Sequence, residues 1–305
     1  MSPPILPIGT QVVTRADLAS TNERPTVPAG TVGVVVRSPA DATHAYRLRV
    51  PDGFAGSYRR DELVLLRSWQ EQGMTASAVL ADHDLTKHVI YRCVMGSRAF
   101  GLDDDDSDTD RRGCYLPPSD LHWSLYGVPE QIEDNGNEEV YWELQKFLNL
   151  ALKANPNILE CLWSPLVEHA APIAQELLAI RRSFLSKLIY QTYNGYVASQ
   201  FKKLETDLRL HGSIKPKHGM HLIRLLLSGI GVLETGDLVV RMDTYRDRLL
   251  AIKHGQIPWD QVNAWRLQLH QRFESAFAAS PLPDHPDYRT VNEYLIRARR
   301  SAVTP

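Results

Sequence analysis

The chain has 305 residues, more than a typical single domain, so we expect at least two modules. Its residues are 43% hydrophobic and 23% charged, a composition that excludes a disordered or fibrous chain. The formal net charge of −2 provides no overall attraction to nucleic acid, so any such binding depends on a local patch.

The cysteines and the amino terminus indicate the cellular compartment in which the protein is found. Cys93, Cys114 and Cys161 lie in apolar runs and lack the spacing of a metal site, so we expect reduced, buried thiols. The first residues lack the basic and apolar regions of a signal peptide, and no apolar run approaches the length of a membrane span. These features predict a cytoplasmic protein that does not bind a membrane.

Residues 1–68 have the pattern of a small antiparallel barrel, in which short β-type runs alternate with turns rich in proline and glycine. The runs are residues 11–14, 30–37, 46–50 and 61–66. The pattern resembles SH3-like barrels, and residues 69–84 would follow as a short helix and linker. The unit is either a structural appendage or an RNA- or partner-binding module whose basic surface is formed by Arg47, Arg49, Arg59 and Arg60.

The next segment carries the residues best suited to chemistry. An apolar run over residues 89–95 predicts a strand that ends at Gly96-Ser97, and an acidic run follows at residues 103–110. If residues 109–116 form a second strand, Asp108 and Asp110 lie on one face, because side chains two apart in a strand point the same way. Both carboxylates would then point towards the Gly96-Ser97 turn, with residues 103–106 as a solvated spacer.

These residue types suit phosphate and metal binding. A Gly-Ser turn ahead of a helix lets backbone N–H groups and a hydroxyl reach a phosphate, and paired carboxylates hold hard cations. Two cations would need a third carboxylate, for which Glu138 and Glu139 are the candidates, ahead of a strand-like run over residues 140–144. One alternative is a solvated acidic loop. A calcium loop fits poorly, because the glycine and glutamate that an EF-hand requires are missing.

Helical patterns dominate the rest of the chain. Residues 143–153 carry an apolar stripe that predicts a core-facing helix, which Pro156 prevents from continuing. Further helices are predicted at residues 172–182, 184–208, 217–233, 243–254, 259–279 and 288–300, with a strand-like run at 238–241. The aromatic stripe of Tyr190, Tyr193 and Tyr196 is more typical of a core than of a base-stacking platform.

One of these helices has a basic face. Lys217, His221 and Arg224 lie at helical spacing with His218 beside them, and the apolar residues occupy the other face. Such cations could hold the phosphates of a nucleotide. Spacing alone nevertheless favours a solvated basic face.

Four segments of the chain together form a recognisable signature. The first joins Gly-Ser-Arg-Ala-Phe-Gly-Leu (residues 96–102) to Ser-Asp-Thr-Asp-Arg-Arg-Gly-Cys-Tyr-Leu-Pro-Pro (residues 107–118), and the others lie at residues 146–160, 184–196 and 217–226. In this order they resemble the polymerase-β nucleotidyltransferase superfamily. Within it, the bacterial and phage branch described as RNA-ligase-associated polymerase-β-like proteins is the most similar, over roughly residues 85–300.

The resemblance implies an α+β fold and a set of site residues. A nucleotidyltransferase core with a mixed sheet and flanking helices would cover residues 85–168, followed by a helical domain at 169–305 and preceded by the small barrel at 1–68. Mg²⁺, or Mn²⁺ in its place, would bind Asp108, Asp110 and Glu138, with Glu139 as the alternative third catalytic acid. The implied nucleotide-binding residues are Gly96, Ser97, Arg98, Lys187, Lys217, His221 and Arg224.

The implied activity is transfer of a nucleoside monophosphate from a nucleoside triphosphate to an acceptor hydroxyl, an RNA 3′ end in a repair or modification reaction. The alternatives are a protein-adenylylating enzyme and a non-catalytic protein that binds a nucleotide or a partner. Three departures keep the second alternative open: Thr109 and Arg111 stand where relatives usually have apolar residues, and the third acid is glutamate in place of aspartate. The motif identifies neither the nucleotide nor the oligomeric state.

Overall fold

Two units make up the chain, Met1–His83 and Asp84–Pro305. The computed structural model describes residues 5–17, 27–39, 41, 44–72, 80, 83–105, 107–134, 136–211 and 214–303. Asp106 of the predicted spacer and residues 73–79, 81 and 82 of the predicted linker lie outside the described residues.

The first unit is an antiparallel sheet of five short strands. These are β1 (Gln11–Thr14), β2 (Val32–Arg37), β3 (Tyr46–Arg49), β4 (Ala55–Tyr58) and β5 (Leu63–Leu65), followed by helix α1 (Leu66–Gln72). The strand order is β4-β3-β2-β1-β5, so the described strands form an open sheet and not a closed barrel. Alternation in β3 buries Tyr46 and Leu48 in a small core and exposes Arg47 and Arg49. The predicted β-rich unit is confirmed, and it fits a small barrel-like domain.

The second unit contains a mixed sheet. Its strands are β6 (Val89–Val94), β7 (Arg111–Tyr115), β8 (Gln131–Asp134), β9 (Glu139–Glu143) and β10 (Val167–Ala170), in the order β10-β6-β7-β9-β8. The β7–β9 pair is parallel and the other pairs are antiparallel. A mixed sheet with helices is the predicted α+β fold, and this prediction is confirmed.

Ten α-helices are seen in the described part of this unit. They are α2 (Gly96–Phe100), α3 (Ser119–Trp123), α4 (Leu144–Leu152), α5 (Pro156–Leu162), α6 (Pro172–Ala179), α7 (Leu188–His211), α8 (Pro216–Thr235), α9 (Arg246–Lys253), α10 (Trp259–Ala279) and α11 (Tyr288–Ser301). The strand expected at residues 238–241 is wrong, because these residues form no ladder with a described strand.

Capping side chains set the helix boundaries beside the sheet. Glu143 accepts hydrogen bonds from the backbone N–H groups of Gln145 and Lys146 at the start of α4. Asn155 does the same at the start of α5, where Pro156 takes the first helical position. The proline that stops one helix therefore begins the next, and it places the start of α5 beside the sheet.

A continuous hydrophobic core joins the sheet to the helices on both sides of residue 168. It includes Tyr91, Phe147, Phe184, Leu226 and Tyr294, all of which are fully buried. Helix α8 lies among α7, α9 and α10 and is buried along most of its length. Its position is thus fixed by packing, which is what a rigid wall of a binding site requires.

The three cysteines are buried and unpaired, as predicted. Burial raises the pKa of the Cys114 thiol well above its ordinary value, so this residue is an inert part of the core. Among the helices that the structure describes, none is both long and apolar enough to cross a membrane.

Candidate active site

A cavity of about 770 Å³ lies between the mixed sheet and the helices of the second unit. Strands β7, β8 and β9 form one wall, and helices α5, α7 and α8 form the opposite wall. Of the residues predicted from the sequence, Gly96, Asp110, Lys217, His221 and Arg224 line this cavity. The structure therefore brings together residues that are up to 128 positions apart in the chain, the separation of 96 and 224.

Gly96 and Asp110 are in direct contact at the sheet edge of the cavity. Gly96 has a φ of +70°, and a Cβ atom added to it would lie 2.4 Å from Oδ2 of Asp110. The Met95 backbone N–H also donates to the Asp110 carbonyl at 2.8 Å, which extends the pairing of β6 and β7 to this point. Only glycine fits here, because the backbone is left-handed and the carboxylate occupies the space of a side chain.

Arg112 neutralises part of the negative charge of Asp110, and the sequence analysis did not predict this role. Its Nη2 donates to Oδ1 of Asp110 at 2.8 Å, and its Nη1 donates to the Glu138 carbonyl at 2.6 Å. Arg112 and Asp110 are two positions apart at the start of β7 and both line the cavity. The same alternation that was applied to Asp108 and Asp110 would have placed Arg112 beside them.

The loop that carries Asp108 is held from both sides. Arg98 donates from Nη2 to the Ser107 carbonyl at 2.7 Å and from Nε to the Asp108 carbonyl at 3.3 Å. The guanidinium of Arg98 is therefore engaged with the loop backbone. Asp108 itself is exposed and does not line the cavity, and its carboxylate has no hydrogen bond or ion pair with a residue in the described ranges.

Asp104 is more than part of a solvated spacer. Lys253 of α9 donates to its carboxylate at 2.8 Å and to the Leu102 carbonyl at 3.0 Å, and the Ser107 hydroxyl donates to it at 2.6 Å. These hydrogen bonds lower the pKa of Asp104 to about 2. Asp104 is exposed, as the prediction of a solvated spacer requires, and it also anchors the loop to helix α9.

Neither candidate for the third acid is among the residues that line the cavity with Asp110. Glu139 accepts a hydrogen bond from the Tyr141 hydroxyl at 2.6 Å and lies 4.0 Å from Nε of Arg111. Its neighbours in β9, Val140 and Trp142, line the cavity, so Glu139 faces the other side of the sheet. Glu138 is exposed, with a φ of +55°, and is not among the lining residues.

Helices α7 and α8 supply a basic wall, which we define as Lys203, Lys217, His218 and His221. Both lysines are exposed, and neither is ion-paired with a residue that the structure describes. Nδ1 of His218 lies 2.6 Å from Oδ2 of the buried Asp207. Burial, together with Arg224 and the rest of the basic wall, lowers the pKa of His221 to about 4, so this imidazole is neutral at pH 7.

Arg224 is held in a buried ion pair that the sequence pattern did not predict. Its Nη1 donates to Oε1 of Glu160 on α5 at 2.5 Å, and its guanidinium lies 3.8 Å from the ring centroid of Phe100 on α2. Both charged residues are almost fully buried. Because α2 follows Gly96, this pair connects the basic helix α8 to the glycine turn.

Lys187 lies outside the cavity. Its Nζ is 3.1 Å from Oδ1 of Asp284, and its backbone N–H donates to the Pro283 carbonyl. Ser97 is partly buried next to Gly96 and is not among the lining residues. The nucleotide-binding roles of Lys187, Ser97 and Arg98 thus remain predictions.

Aromatic and amide side chains complete the cavity. Tyr196, Gln200 and Asn157 line the helical wall, and the Tyr196 hydroxyl accepts a hydrogen bond from Asn155 at 2.8 Å. Tyr193, by contrast, is fully buried in the core. The prediction of a core stripe is therefore confirmed for Tyr193, whereas Tyr196 also reaches the cavity.

One divalent cation is chemically compatible with the carboxylate of Asp110, and its binding remains a prediction. Mg²⁺ commonly binds one or two carboxylates and takes its other ligands from water and substrate phosphates. Asp110 faces the cavity, and Asp108 is two residues away with a free carboxylate. Among the residues that the structure describes, no group of three or more His, Cys, Asp or Glu side chains is arranged to hold a metal ion. The second cation of the predicted pair thus remains a prediction.

A carboxylate and a basic wall that line one cavity suit an enzyme that transfers a phosphoryl-type group, because this chemistry depends on positioning and on stabilising negative charge. The sequence profile of RlaP, the RNA repair pathway DNA polymerase beta family, matches residues 70–297. The chain belongs to this family of polymerase-β-like nucleotidyltransferases. The predicted resemblance is confirmed.

Two curated proteins are similar to parts of the chain. Uncharacterized protein YcgL of Bacillus subtilis (strain 168) is 36% identical over 97 residues, which are 30% of this chain and 37% of the relative. Uncharacterized protein MJ0002 of Methanocaldococcus jannaschii is 26% identical over 163 residues, 52% of this chain and 65% of the relative. The chain thus spans less than two thirds of the length of each relative.

Proposed function

We propose that the chain transfers a nucleoside monophosphate from a nucleoside triphosphate to the 3′ hydroxyl of an RNA, with a divalent cation as cofactor. One observation carries the proposal: the Asp110 carboxylate lies against the left-handed turn at Gly96, inside a cavity whose opposite wall is basic. The RNA acceptor follows from the family, whose description places it in an RNA repair pathway.

The basic wall is suited to the leaving group. Lys203 and Lys217 are the unpaired cations of this wall, and they would bind the β- and γ-phosphates. His218 is fixed in place by Asp207, so it presents an oriented ring to the same phosphates. The neutral His221 contributes hydrogen bonding in place of charge.

Asp110 and Asp108 would hold the cation, with Mg²⁺ preferred and Mn²⁺ as the alternative. When bound, such an ion neutralises phosphate oxygens and lowers the pKa of a nearby hydroxyl. Arg112 keeps one oxygen of Asp110 engaged and thereby fixes the direction of the carboxylate. The buried Glu160–Arg224 pair joins helix α8 to α5, and the same guanidinium packs on Phe100 of α2.

The reaction forms one bond and breaks one. The 3′ oxygen of the acceptor bonds to the α-phosphorus, and the bond from that phosphorus to the bridging oxygen of the β-phosphate breaks. Pyrophosphate leaves towards the basic wall, and the proton of the acceptor hydroxyl passes to solvent. Attacking and leaving oxygens are in line across the phosphorus.

Pyrophosphate release is the direct test. Wild-type protein with Mg²⁺, the four nucleoside triphosphates and a mixed RNA pool should release pyrophosphate, and Asp110→Asn should abolish the release. Asp105→Asn is the matched control, because Asp105 belongs to the same acidic run, is exposed and does not line the cavity. Equal release by wild type and Asp110→Asn would refute the assigned site. Nucleotide transfer to protein in place of RNA would refute the assigned acceptor.

A further inference from the structure

Trp142 is a large aromatic side chain on the cavity wall with no role in the reaction described above. It lies on β9 and is partly buried, and its ring packs on Phe147 with the centroids 6.3 Å apart. Val140 and Trp142 point to the same side of β9 and both line the cavity. Gln131 of β8 pairs with Trp142 across the ladder and lines the cavity as well. This wall, which we call the Trp142 wall, is therefore neutral.

The helical wall already offers a complete path for a nucleoside triphosphate. Tyr196, Gln200 and Lys203 are spaced by four and three residues on α7, so they lie on one face of that helix. If Lys203 binds the phosphates, the ring of Tyr196 and the amide of Gln200 on the same face are available to contact the nucleobase. The incoming nucleotide thus has a place for both its charged and its aromatic parts along α7, without using the Trp142 wall.

The direction of attack assigns the Trp142 wall to the acceptor. An in-line displacement places the attacking oxygen opposite the leaving pyrophosphate. The basic wall on α7 and α8 marks the side of the pyrophosphate, and helix α8 is tied to α2 through Arg224 and Phe100. In the sheet, β7 with Asp110 lies between β6, which leads into α2, and β9. The acceptor is therefore placed on the β9 side, where Trp142 lines the cavity.

We infer that Trp142 is a stacking platform for the terminal base of a single-stranded nucleic acid whose 3′ hydroxyl is the acceptor. This inference rests on the proposed function. An aromatic face stacks on any base, so the platform positions the strand end without selecting its sequence.

The test measures binding of a short single-stranded RNA and of a nucleoside triphosphate separately, in wild type and variants. Trp142→Leu keeps apolar packing on Phe147 but removes the stacking face, and Trp142→Phe keeps a face. Since a base–aromatic stack is worth about 1–3 kcal/mol, Trp142→Leu should weaken RNA binding about 5- to 150-fold. Trp142→Phe should recover most of the affinity, and nucleotide affinity should stay constant in both variants.

Trp123→Leu is the matched control, because Trp123 is 63% exposed and is not among the lining residues. Unchanged RNA affinity in Trp142→Leu overturns the inference, and so does a loss confined to nucleotide affinity, which would place the incoming base on Trp142. Absence of RNA binding by the wild type also overturns it. RNA binding that depends on Trp142, without any nucleotide transfer by the wild type, would retain the platform and refute the proposed function. Nucleotide transfer by the wild type, together with RNA binding that does not depend on Trp142, would retain the proposed function and refute the platform.

Discussion

The surroundings of His221 predict how much the free energy of unfolding changes with pH. It is partly buried and faces Arg224, Lys217 and His218 on its own helix and Lys203 on α7, and its pKa is lowered from 6.5 to about 4. In the unfolded chain these neighbours are dispersed, and the imidazole returns to a pKa of about 6.5. The folded protein thus binds the proton of His221 more weakly than the unfolded chain does.

The sign of the effect on stability follows from this difference. Between about pH 6.5 and about pH 4 the unfolded state binds more protons at this position, so the free energy of unfolding falls as the pH is lowered through that window. From pH 8 to pH 5, His221 should account for a loss of up to about 2 kcal/mol. His221→Gln removes the titrating group and keeps an amide of similar size.

Urea unfolding of wild type and His221→Gln at pH 8 and at pH 5 measures the effect. The variant should lose about 2 kcal/mol less than the wild type between the two pH values, because all other titrating groups are common to both proteins. His254→Gln is the control, since His254 lies at the end of α9, outside the cavity. Equal losses in wild type and His221→Gln would show that His221 does not lie among these cations in the folded protein.

Two further predictions concern the contacts at Gly96 and Glu160. Gly96→Ala should displace the Asp110 carboxylate and abolish nucleotide transfer, and it should also cost about 1–2 kcal/mol of backbone strain. Gly127→Ala is the control, because Gly127 has a φ of +60° in open space and its substitution should cost only the strain. Equal nucleotide transfer by the two variants would contradict the contact between Gly96 and Asp110. Glu160→Gln should lower the free energy of unfolding by about 3–5 kcal/mol in urea denaturation, because it leaves the Arg224 charge buried and unpaired. Adding Arg224→Met should restore part of that loss, and strictly additive losses would contradict the pair.

The sequence predicted most of the longer elements whose burial is periodic. Helix α10 begins and ends at the predicted residues, Trp259–Ala279, because its apolar residues recur at helical spacing. Strands β4, β8 and β10 were missed, and all three lie at the edge of a sheet. The side chains of β8 and β10 are mostly exposed, so no alternation of apolar and polar residues marks these two strands. Edge strands are defined by pairing with a neighbour, which a single sequence does not display.

In the candidate site, too, local patterns in the sequence predicted which residues share a face, whereas contacts between distant segments were not predicted. The signature at residues 96–110 predicted that Gly96 and Asp110 would meet, because two adjacent strands bring them together. Helical spacing predicted which residues of α8 share a face, but not what lies opposite. The buried partner of Arg224 comes from α5, 64 residues earlier, and burial rather than spacing separates Arg224 from the free lysines.

Glu139 shows most clearly what the sequence did not predict, which is the face of the sheet that a side chain occupies. In the parallel ladder, Glu139 pairs with Arg111, the residue that follows Asp110. Strand alternation, however, turns its side chain to the face that carries Tyr141 and Arg111. One residue of register decides which face an acid occupies, and the pairing of β7 with β9 that sets this register is not visible in a single sequence.

The most direct test of the central claim follows the label from an α-phosphate-labelled nucleoside triphosphate into RNA. With Mg²⁺, wild-type protein should attach the label to an RNA that ends in a 3′ hydroxyl and not to the same RNA ending in a 3′ phosphate, and Asp110→Asn should attach none. Label on the 3′-phosphate RNA, or equal labelling by Asp110→Asn, would contradict transfer to the 3′ hydroxyl at the Gly96–Asp110 site.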